Sequence, residues 1–247
     1  MSFALQTRGL KRRFGAFIAT DDVSLKVNQG ARHALIGPNG AGKTTLINLL
    51  TGVIPPSGGE IFLEGENVTQ TLPYRRVQKG LARTFQINQL FTPFTPLESI
   101  SLAICERDGG GNAWKPLTQY SHVIDEAAEL LTRFGLGSVM GVRSSVLPYG
   151  KQRLLELALA FASRPKVLLL DEPAAGVPED ERHEVLDIVS ALPSEVTVVL
   201  IEHDMDLVFS FADRITVLVA GAIFAEGTVE EIARDPRVKS VYLGENA

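Results

Sequence analysis

Eight residues near the start of the chain, GPNGAGKT at positions 37–44, restrict its possible folds more than any other segment. Their spacing matches the phosphate-binding pattern G-x-x-x-x-G-K-[ST], in which a strand leads into a loop and a helix leaves it. Both flanks are present, because residues 31–36 are apolar and residues 45–50 have a helical pattern. The sequence therefore predicts a nucleotide-binding type of domain built around a strand, this loop and a helix.

Each residue type in the loop has a physical reason to be there. Glycines let the backbone turn tightly, so that successive N–H groups and the helix N-terminus point at phosphate oxygens. Lys43 adds a positive charge near the β- and γ-phosphates, and the Thr44 hydroxyl is a predicted ligand of Mg²⁺. The predicted nucleotide-binding residues of the loop are Asn39, Gly40, Ala41, Gly42, Lys43, Thr44 and Thr45.

Two adjacent carboxylates, Asp171 and Glu172, follow the apolar run at residues 167–170. Parallel sheets bind ligands at the carboxyl ends of their strands. Because neighbouring side chains of a strand diverge, the two acids can have different roles. We predict that Asp171 faces the metal ion and that Glu172 orients and deprotonates a water that attacks the γ-phosphate. An ordinary strand end is the alternative interpretation, and the phosphate loop upstream argues against it.

Apolar segments rich in β-branched residues recur along the chain and alternate with helical patterns in its later part. The predicted strands are residues 23–27, 31–36, 167–170, 196–201 and 215–219, and the predicted helices between the later strands are residues 151–163 and 179–192. This order favours parallel pairing with right-handed crossovers. The middle of the chain instead has helical patterns, including an amphipathic stretch at residues 123–134, and we interpret it as a helical lobe.

The composition limits the possible partners and locations. A formal charge of −5 and a pI near 5.5 leave no global basic field, so nucleic acid is not an expected partner. The single cysteine, Cys105, excludes an internal disulfide and a cysteine-based zinc site. No apolar run approaches the roughly 18 residues that a spanning helix needs, and the order of charges at the start does not suit a secretory signal. We therefore expect a protein that stays inside the cell and does not itself cross a membrane.

Further motifs resemble those of one family, the ABC ATPases, and the resemblance covers nearly the whole chain. The string RTFQ at residues 83–86 looks like the Q-loop of that family, and IEHD at residues 201–204 looks like its switch-histidine segment. The resemblance implies that Gln86 joins the metal shell and that His203 contacts the γ-phosphate. The predicted catalytic residues are therefore Lys43, Glu172 and His203, and the predicted metal ligands are Thr44, Gln86 and Asp171.

The resemblance also gives Phe14 a role. Similar ATPases carry an aromatic residue at this place, next to a glycine, and it stacks on adenine, for which the π-face of phenylalanine suffices. A place in the hydrophobic core is the alternative interpretation of Phe14.

The segment LPYGKQ at residues 147–152 stands where the family carries its signature, usually LSGGQ, which faces the ATP of a partner subunit. The sequence departs from that pattern here, and also at Pro178, where an Asp or Asn is usual. We expect a weakened but working composite site, because a helix N-terminus near Gly150 and the charge of Lys151 remain aimed at phosphate. The predicted signature residues are Leu147, Pro148, Tyr149, Gly150 and Lys151.

The family resemblance implies an α/β fold of the ABC ATPase nucleotide-binding type. Such a fold has a P-loop NTPase core with a parallel sheet, an N-terminal antiparallel β part and a helical lobe. We predict a single domain in which residues 1–86 and 165–247 form the core and β part and residues 87–164 form the lobe. The implied cofactors are ATP and Mg²⁺.

Five strings are similar to the ATPase subunits of branched-chain amino acid uptake systems: GLARTFQ, YGKQRLLELA, LLLDEPAAGV, LIEHDM and YLGE. This resemblance implies an ATP-hydrolysing subunit of an importer for branched-chain amino acids or a related small polar or aromatic acid. The implied partners are integral membrane permease subunits, a second ATPase subunit in a homo- or heterodimer, and indirectly an extracytoplasmic binding protein. The implied location is the cytoplasmic face of the cell membrane, as a peripheral protein.

Two alternatives remain open at this point. The ATPase of lipopolysaccharide export has a similar YLGE-like tail, although its Q-loop and signature surroundings differ from those of this chain. A soluble ABC ATPase of translation or DNA repair would work without a permease. Such proteins carry tandem cassettes or long coiled-coil insertions, neither of which this sequence contains.

Overall fold

A computed structural model describes residues 2–84, 90–109 and 120–243. The strands in these ranges are β1 (Phe3–Phe14), β2 (Phe17–Val23), β3 (Lys26–Asn28), β4 (Arg32–Ile36), β5 (Gly58–Leu63), β6 (Glu66–Asn67), β7 (Leu81–Arg83), β8 (Val167–Asp171), β9 (Thr197–Ile201), β10 (Arg214–Val219) and β11 (Ala222–Thr228). The helices are α1 (Lys43–Thr51), α2 (Pro73–Gln78), α3 (Pro96–Arg107), α4 (Ser121–Arg133), α5 (Tyr149–Ala162), α6 (Glu179–Ser190), α7 (Met205–Phe211), α8 (Val229–Arg234) and α9 (Pro236–Leu243).

The first of two compact units contains both sheets and comprises Met1–Arg83, Lys166–Glu172 and Pro193–Ala247. The larger sheet has the strand order β11-β10-β4-β9-β8-β7 among the described residues, and its strands pair in parallel except for β10 with β11. Strands β8 and β9 are buried at every position, which is why they read as continuous apolar runs rather than alternating ones. Because β4, β9 and β8 are neighbours and run parallel, their carboxyl ends lie side by side at one edge of this sheet.

The smaller sheet confirms the predicted antiparallel part near the N-terminus. Its order is β2-β1-β5-β6, with β3 also paired to β1, and all of these pairings are antiparallel. Together with the parallel sheet, this confirms the predicted α/β fold class.

The second unit is helical and comprises Thr84–Pro165 and Pro173–Leu192. The predicted amphipathic stretch is α4, whose buried residues Val123, Ala127 and Leu131 recur every four positions on one face. In the described part of the chain, no helix combines the length and hydrophobicity that a membrane crossing requires.

Four of the five predicted strands are confirmed as β4, β8, β9 and β10, with ends that differ by about one residue. The predicted strand at residues 23–27 is wrong, because β2 ends at Val23 and β3 begins at Lys26. Leu25, between them, bonds to Thr7 instead: its N–H donates to the Thr7 hydroxyl at 2.9 Å, and its carbonyl accepts from the Thr7 N–H at 2.9 Å. The Leu25 side chain is buried, which explains the apolar pattern, but Leu25 itself does not belong to a strand.

The predicted core and lobe differ from the two compact units mainly at residues 173–192. The sequence prediction places them with the core, whereas Pro173–Leu192 group with the helical unit. Helix α6, within this segment, contacts the start of α5, where Glu181 accepts a hydrogen bond from the Gly150 N–H. The assignment of the whole chain to a single domain stays a prediction.

Candidate nucleotide-binding site

The predicted phosphate loop connects the end of β4 to the start of α1, as its sequence pattern requires. Gly42, just before α1, has φ +97°, and a Cβ atom there would lie 2.5 Å from the carbonyl oxygen of Ala19 in β2. A Cβ atom on Gly37 would collide with the carbonyl of Leu218 in β10. The backbone of this loop is therefore held close to β2 and β10, which is possible only with glycine at these two positions.

The loop and the first turn of α1 have the features of a phosphate-binding surface. Helix α1 has no side-chain cap and no acidic residue in its first turn, so neither occupies the N–H groups there. The Lys43 ammonium donates hydrogen bonds to the carbonyl oxygens of Gly37 and Pro38, which hold it against the loop. Uncapped amides, the positive end of the helix dipole and a lysine together fit an anionic group such as phosphate.

Asp171, the predicted metal ligand, is the last residue of β8 and is almost completely buried. Its Oδ2 accepts a hydrogen bond of 2.8 Å from Nη2 of Arg83, the last residue of β7. Thr44 is exposed in the first turn of α1. A carboxylate and a hydroxyl are the hard oxygen donors that Mg²⁺ accepts, so these residues fit the ion. The third predicted ligand, Gln86, lies outside the described residues.

Glu172 does not continue β8, so the expectation that both acids lie on one strand is wrong. It lies beyond the end of β8 with φ +46°, in the left-handed region that only a few non-glycine residues adopt. Its N–H donates to the carbonyl of Ile201 in β9 at 3.0 Å, which anchors the turn. The backbone turn, rather than the alternation of a strand, separates the Glu172 side chain from that of Asp171. Strained residues of this kind cluster at functional sites.

His203 follows β9 and lies next to Glu172, with 3.3 Å between its Nδ1 and Oε1 of Glu172. Glu202 holds the backbone there, because its Oε2 accepts hydrogen bonds from the N–H groups of His203 and Asp204 at 3.1 and 3.4 Å. Burial raises the pKa of Glu202 above its ordinary value. No role was predicted for Glu202, although an acid between an apolar strand and a histidine is a signal that the sequence contains.

Strands β4, β9 and β8 are adjacent, so their carboxyl ends bring the phosphate loop, His203 and the pair Asp171 and Glu172 to one edge of the sheet. This edge is where open α/β sheets bind ligands. One further residue, Arg83, bonds to Asp171 of this group and also to Asn48 in α1, although no role was predicted for Arg83 or Asn48.

Phe14 ends β1 and is 47% exposed, so the alternative of a core residue does not describe it. The Arg12 guanidinium lies 4.5 Å from the centroid of its ring, and Nη1 of Arg12 donates to the carbonyl of Pro55. Phe17, across the same turn, is 64% exposed.

We expect Phe14→Ala to weaken nucleotide binding by about 1 to 3 kcal/mol, the usual contribution of one stacked base, without changing the maximal rate of hydrolysis. Titration with a fluorescent ATP analogue measures this affinity. Phe17→Ala is the matched control and should keep the parent affinity. If only the Phe17 variant lost affinity, the stacking ring would be Phe17 and not Phe14.

The predicted signature residues belong to the helical unit, where Leu147 is buried and Pro148 precedes the first residue of α5, Tyr149. The Gly150 N–H, expected to be aimed at phosphate, donates to Oε2 of Glu181 at 2.6 Å.

Lys151, expected to add charge to the signature, forms an ion pair with Glu184 and also donates to the carbonyl of Gly135. In this structure, therefore, the N–H of Gly150 and the ammonium of Lys151 are both engaged by groups of the same chain.

Comparison with known proteins agrees with this geometry. The family model described as ABC transporter matches residues 20–175, and the model described as branched-chain amino acid ATP-binding cassette transporter matches residues 222–247.

Two curated relatives match nearly end to end. The high-affinity branched-chain amino acid transport ATP-binding protein BraF of Pseudomonas aeruginosa is 41% identical, with 98% of each chain covered. The protein named LivG in Escherichia coli, described in the same words, is 39% identical, again with 98% of each chain covered.

Solved structures of ATP-binding cassettes also resemble this chain. The crystal structure of a nucleotide-free ATP-binding cassette from an ABC transporter matches with a TM-score of 0.85 at 31% identity, covering 98% of this chain and 99% of that one. The ADP conformation of such a cassette matches with a TM-score of 0.83 at 31% identity and 99% coverage of both chains. The chain therefore belongs to the ABC transporter family, as an ATP-hydrolysing cassette.

Proposed function

We propose that this protein hydrolyses ATP, with Mg²⁺, to power an ABC importer of branched-chain amino acids or of a related small polar or aromatic acid. The observation that carries the hydrolytic part is the convergence of the phosphate loop, Asp171, Glu172 and His203 at one edge of the parallel sheet. The substrate class is supported by the names of the relatives and by the match of residues 222–247 to a branched-chain amino acid cassette model.

In this proposal each residue has a defined task. The loop amides and Lys43 bind the β- and γ-phosphates, and Phe14 stacks on the adenine. Thr44, Asp171 and Gln86 would hold Mg²⁺, which neutralises phosphate charge when it is bound.

Glu172 accepts a proton from the attacking water, and its Oε1 is close to Nδ1 of His203. His203 is 69% exposed at its side chain, so its ring remains accessible to the γ-phosphate of a bound nucleotide.

The signature segment would face the ATP of a second cassette. A carboxylate and a phosphate both accept hydrogen bonds, so Glu181 must release the Gly150 N–H before a phosphate can use it. The ion pair with Glu184 compensates the charge of Lys151 and so reduces its attraction for a phosphate. The cost of breaking these contacts supports the expectation of a weakened composite site, for a reason that the departures from LSGGQ did not supply.

The proposed partners are integral membrane permease subunits and a second ATPase subunit, with an extracytoplasmic binding protein acting indirectly. The proposed location is the cytoplasmic face of the membrane. Export of lipopolysaccharide and a soluble, permease-independent role are less well supported, since the full-length relatives described above are named for branched-chain amino acid transport.

Reconstitution into liposomes tests the proposal. The chain is purified with the proposed permease subunits, second ATPase subunit and binding protein, and uptake of radiolabelled leucine is measured with and without internal ATP. We expect ATP-dependent uptake that unlabelled isoleucine and valine reduce. Competition by phenylalanine or by a small amide, but not by isoleucine and valine, would indicate a substrate other than a branched-chain amino acid. Hydrolysis without stable association with a permease would contradict the importer assignment.

A further inference from the structure

Arg83 connects two parts of the candidate site that are far apart in sequence. It is the last residue of β7, and its neighbour in the parallel pairing is Leu169 of β8. Nη2 donates to Oδ2 of Asp171 at 2.8 Å, and Nη1 donates to Oδ1 of Asn48 in α1 at 2.7 Å. The side chains of Arg83 and Asp171 are 10% and 9% exposed, so the ion pair is shielded from water.

The Asn48 contact reaches the helix that carries Thr44. Residues 44 and 48 are four positions apart and therefore lie on the same face of α1. The planar guanidinium holds its N–H groups in a rigid fork, so one Arg83 side chain fixes the Asp171 carboxylate relative to the face of α1 that bears Thr44. The Arg83 side chain thus links the two elements that carry the proposed Mg²⁺ ligands Asp171 and Thr44.

We propose that Arg83 is a positioning residue for Mg²⁺, which orients the Asp171 carboxylate and sets its position relative to Thr44. The proposal rests on the Mg²⁺-dependent ATP hydrolysis proposed above. Mg²⁺ demands near-ideal octahedral geometry, so its affinity is sensitive to the orientation of each oxygen ligand. Groups that hydrogen-bond to a metal ligand commonly change metal affinity by about 10- to 100-fold when they are replaced.

Arg76 provides a matched control. It is also a buried arginine that contacts α1, but its hydrogen bonds go to backbone carbonyls, including those of Leu49 and Leu50 at the C-terminal end of that helix. Further bonds go to the carbonyls of Thr69 and Thr71. Replacing Arg76 therefore perturbs the packing of α1 without touching Asp171.

The test measures the affinity of the full chain for a fluorescent ADP analogue as Mg²⁺ is titrated, so that no turnover is needed. Arg83→Lys keeps the charge but loses the fork. We expect it to raise the Mg²⁺ midpoint, the Mg²⁺ concentration that gives half of the total change in ADP affinity, by about 10-fold. The affinity for the ADP analogue in EDTA should match that of the parent. Asn48→Ala keeps the ion pair, cuts only the link to α1, and should shift the same midpoint by a smaller factor.

Arg76→Lys should lower the melting temperature and leave the Mg²⁺ midpoint at the parent value. A midpoint that is unchanged or lower in both Arg83→Lys and Asn48→Ala would overturn the proposal, as would an equal shift in Arg76→Lys. If Arg83→Lys does not fold, Asn48→Ala decides alone. A parent protein that binds ADP equally well with and without Mg²⁺ would instead refute the metal part of the proposed function, and the role of Arg83 with it.

Discussion

Glu172→Gln is expected to keep nucleotide affinity and to reduce the rate of ATP hydrolysis by about 10² to 10⁴-fold. The amide has the shape of the carboxylate but cannot accept the proton of an attacking water. The turn that presents the side chain should survive, because the substitution keeps the hydrogen bond from the Glu172 N–H to the carbonyl of Ile201. The effect should therefore be confined to the chemical step.

Phosphate release at saturating ATP gives the rate, and titration with a fluorescent ATP analogue gives the affinity. Glu230→Gln makes the same chemical change at an exposed position in α8 and should hydrolyse ATP at the parent rate. A Glu172→Gln rate within about threefold of the parent would remove Glu172 from the role of general base. Loss of binding together with rate would show that the carboxylate supports the nucleotide site itself.

The elements that the sequence predicted correctly are those with a local signature. The loop at residues 37–44 has a fixed spacing of glycines, and the structure explains two of them by the close approach of β2 and β10. Strands β8 and β9 were visible as short apolar runs because each is buried at every position. The parallel α/β core followed from these runs and from their alternation with helices, whereas the antiparallel β part was implied by the family resemblance.

The contacts that the sequence did not reveal join residues distant along the chain. Arg83 and Asp171 are 88 positions apart, and no spacing rule pairs them. The same holds for Gly150 and Glu181, whose hydrogen bond occupies the N–H that the signature comparison left available. The left-handed backbone at Glu172 was hidden for another reason: glycine is the usual residue for such a conformation, and glutamate gives no sign of it.

Lys43→Ala is expected to abolish nucleotide binding at concentrations that saturate the parent. Hydrogen bonds to charged groups contribute about 1.5 to 3 kcal/mol each, so losing two of them at the β- and γ-phosphates corresponds to a loss of affinity of about 10²- to 10⁴-fold. In the present structure the ammonium donates to the carbonyls of Gly37 and Pro38. A bound phosphate would compete for a cation that the loop already holds in place.

Because the substitution also removes these loop contacts, binding and folding must be measured separately. Melting without nucleotide reports the fold. The rise in melting temperature on adding ATP reports binding, since a ligand stabilises the folded state only when its concentration is comparable with or above its Kd. We expect Lys43→Ala to melt near the parent temperature without ATP and to show no rise with it. Lys79→Ala removes a surface lysine paired with Glu66 in the same compact unit and should keep the full rise. Undiminished affinity in Lys43→Ala would mean that the loop amides and the end of α1 bind the phosphates without the lysine charge.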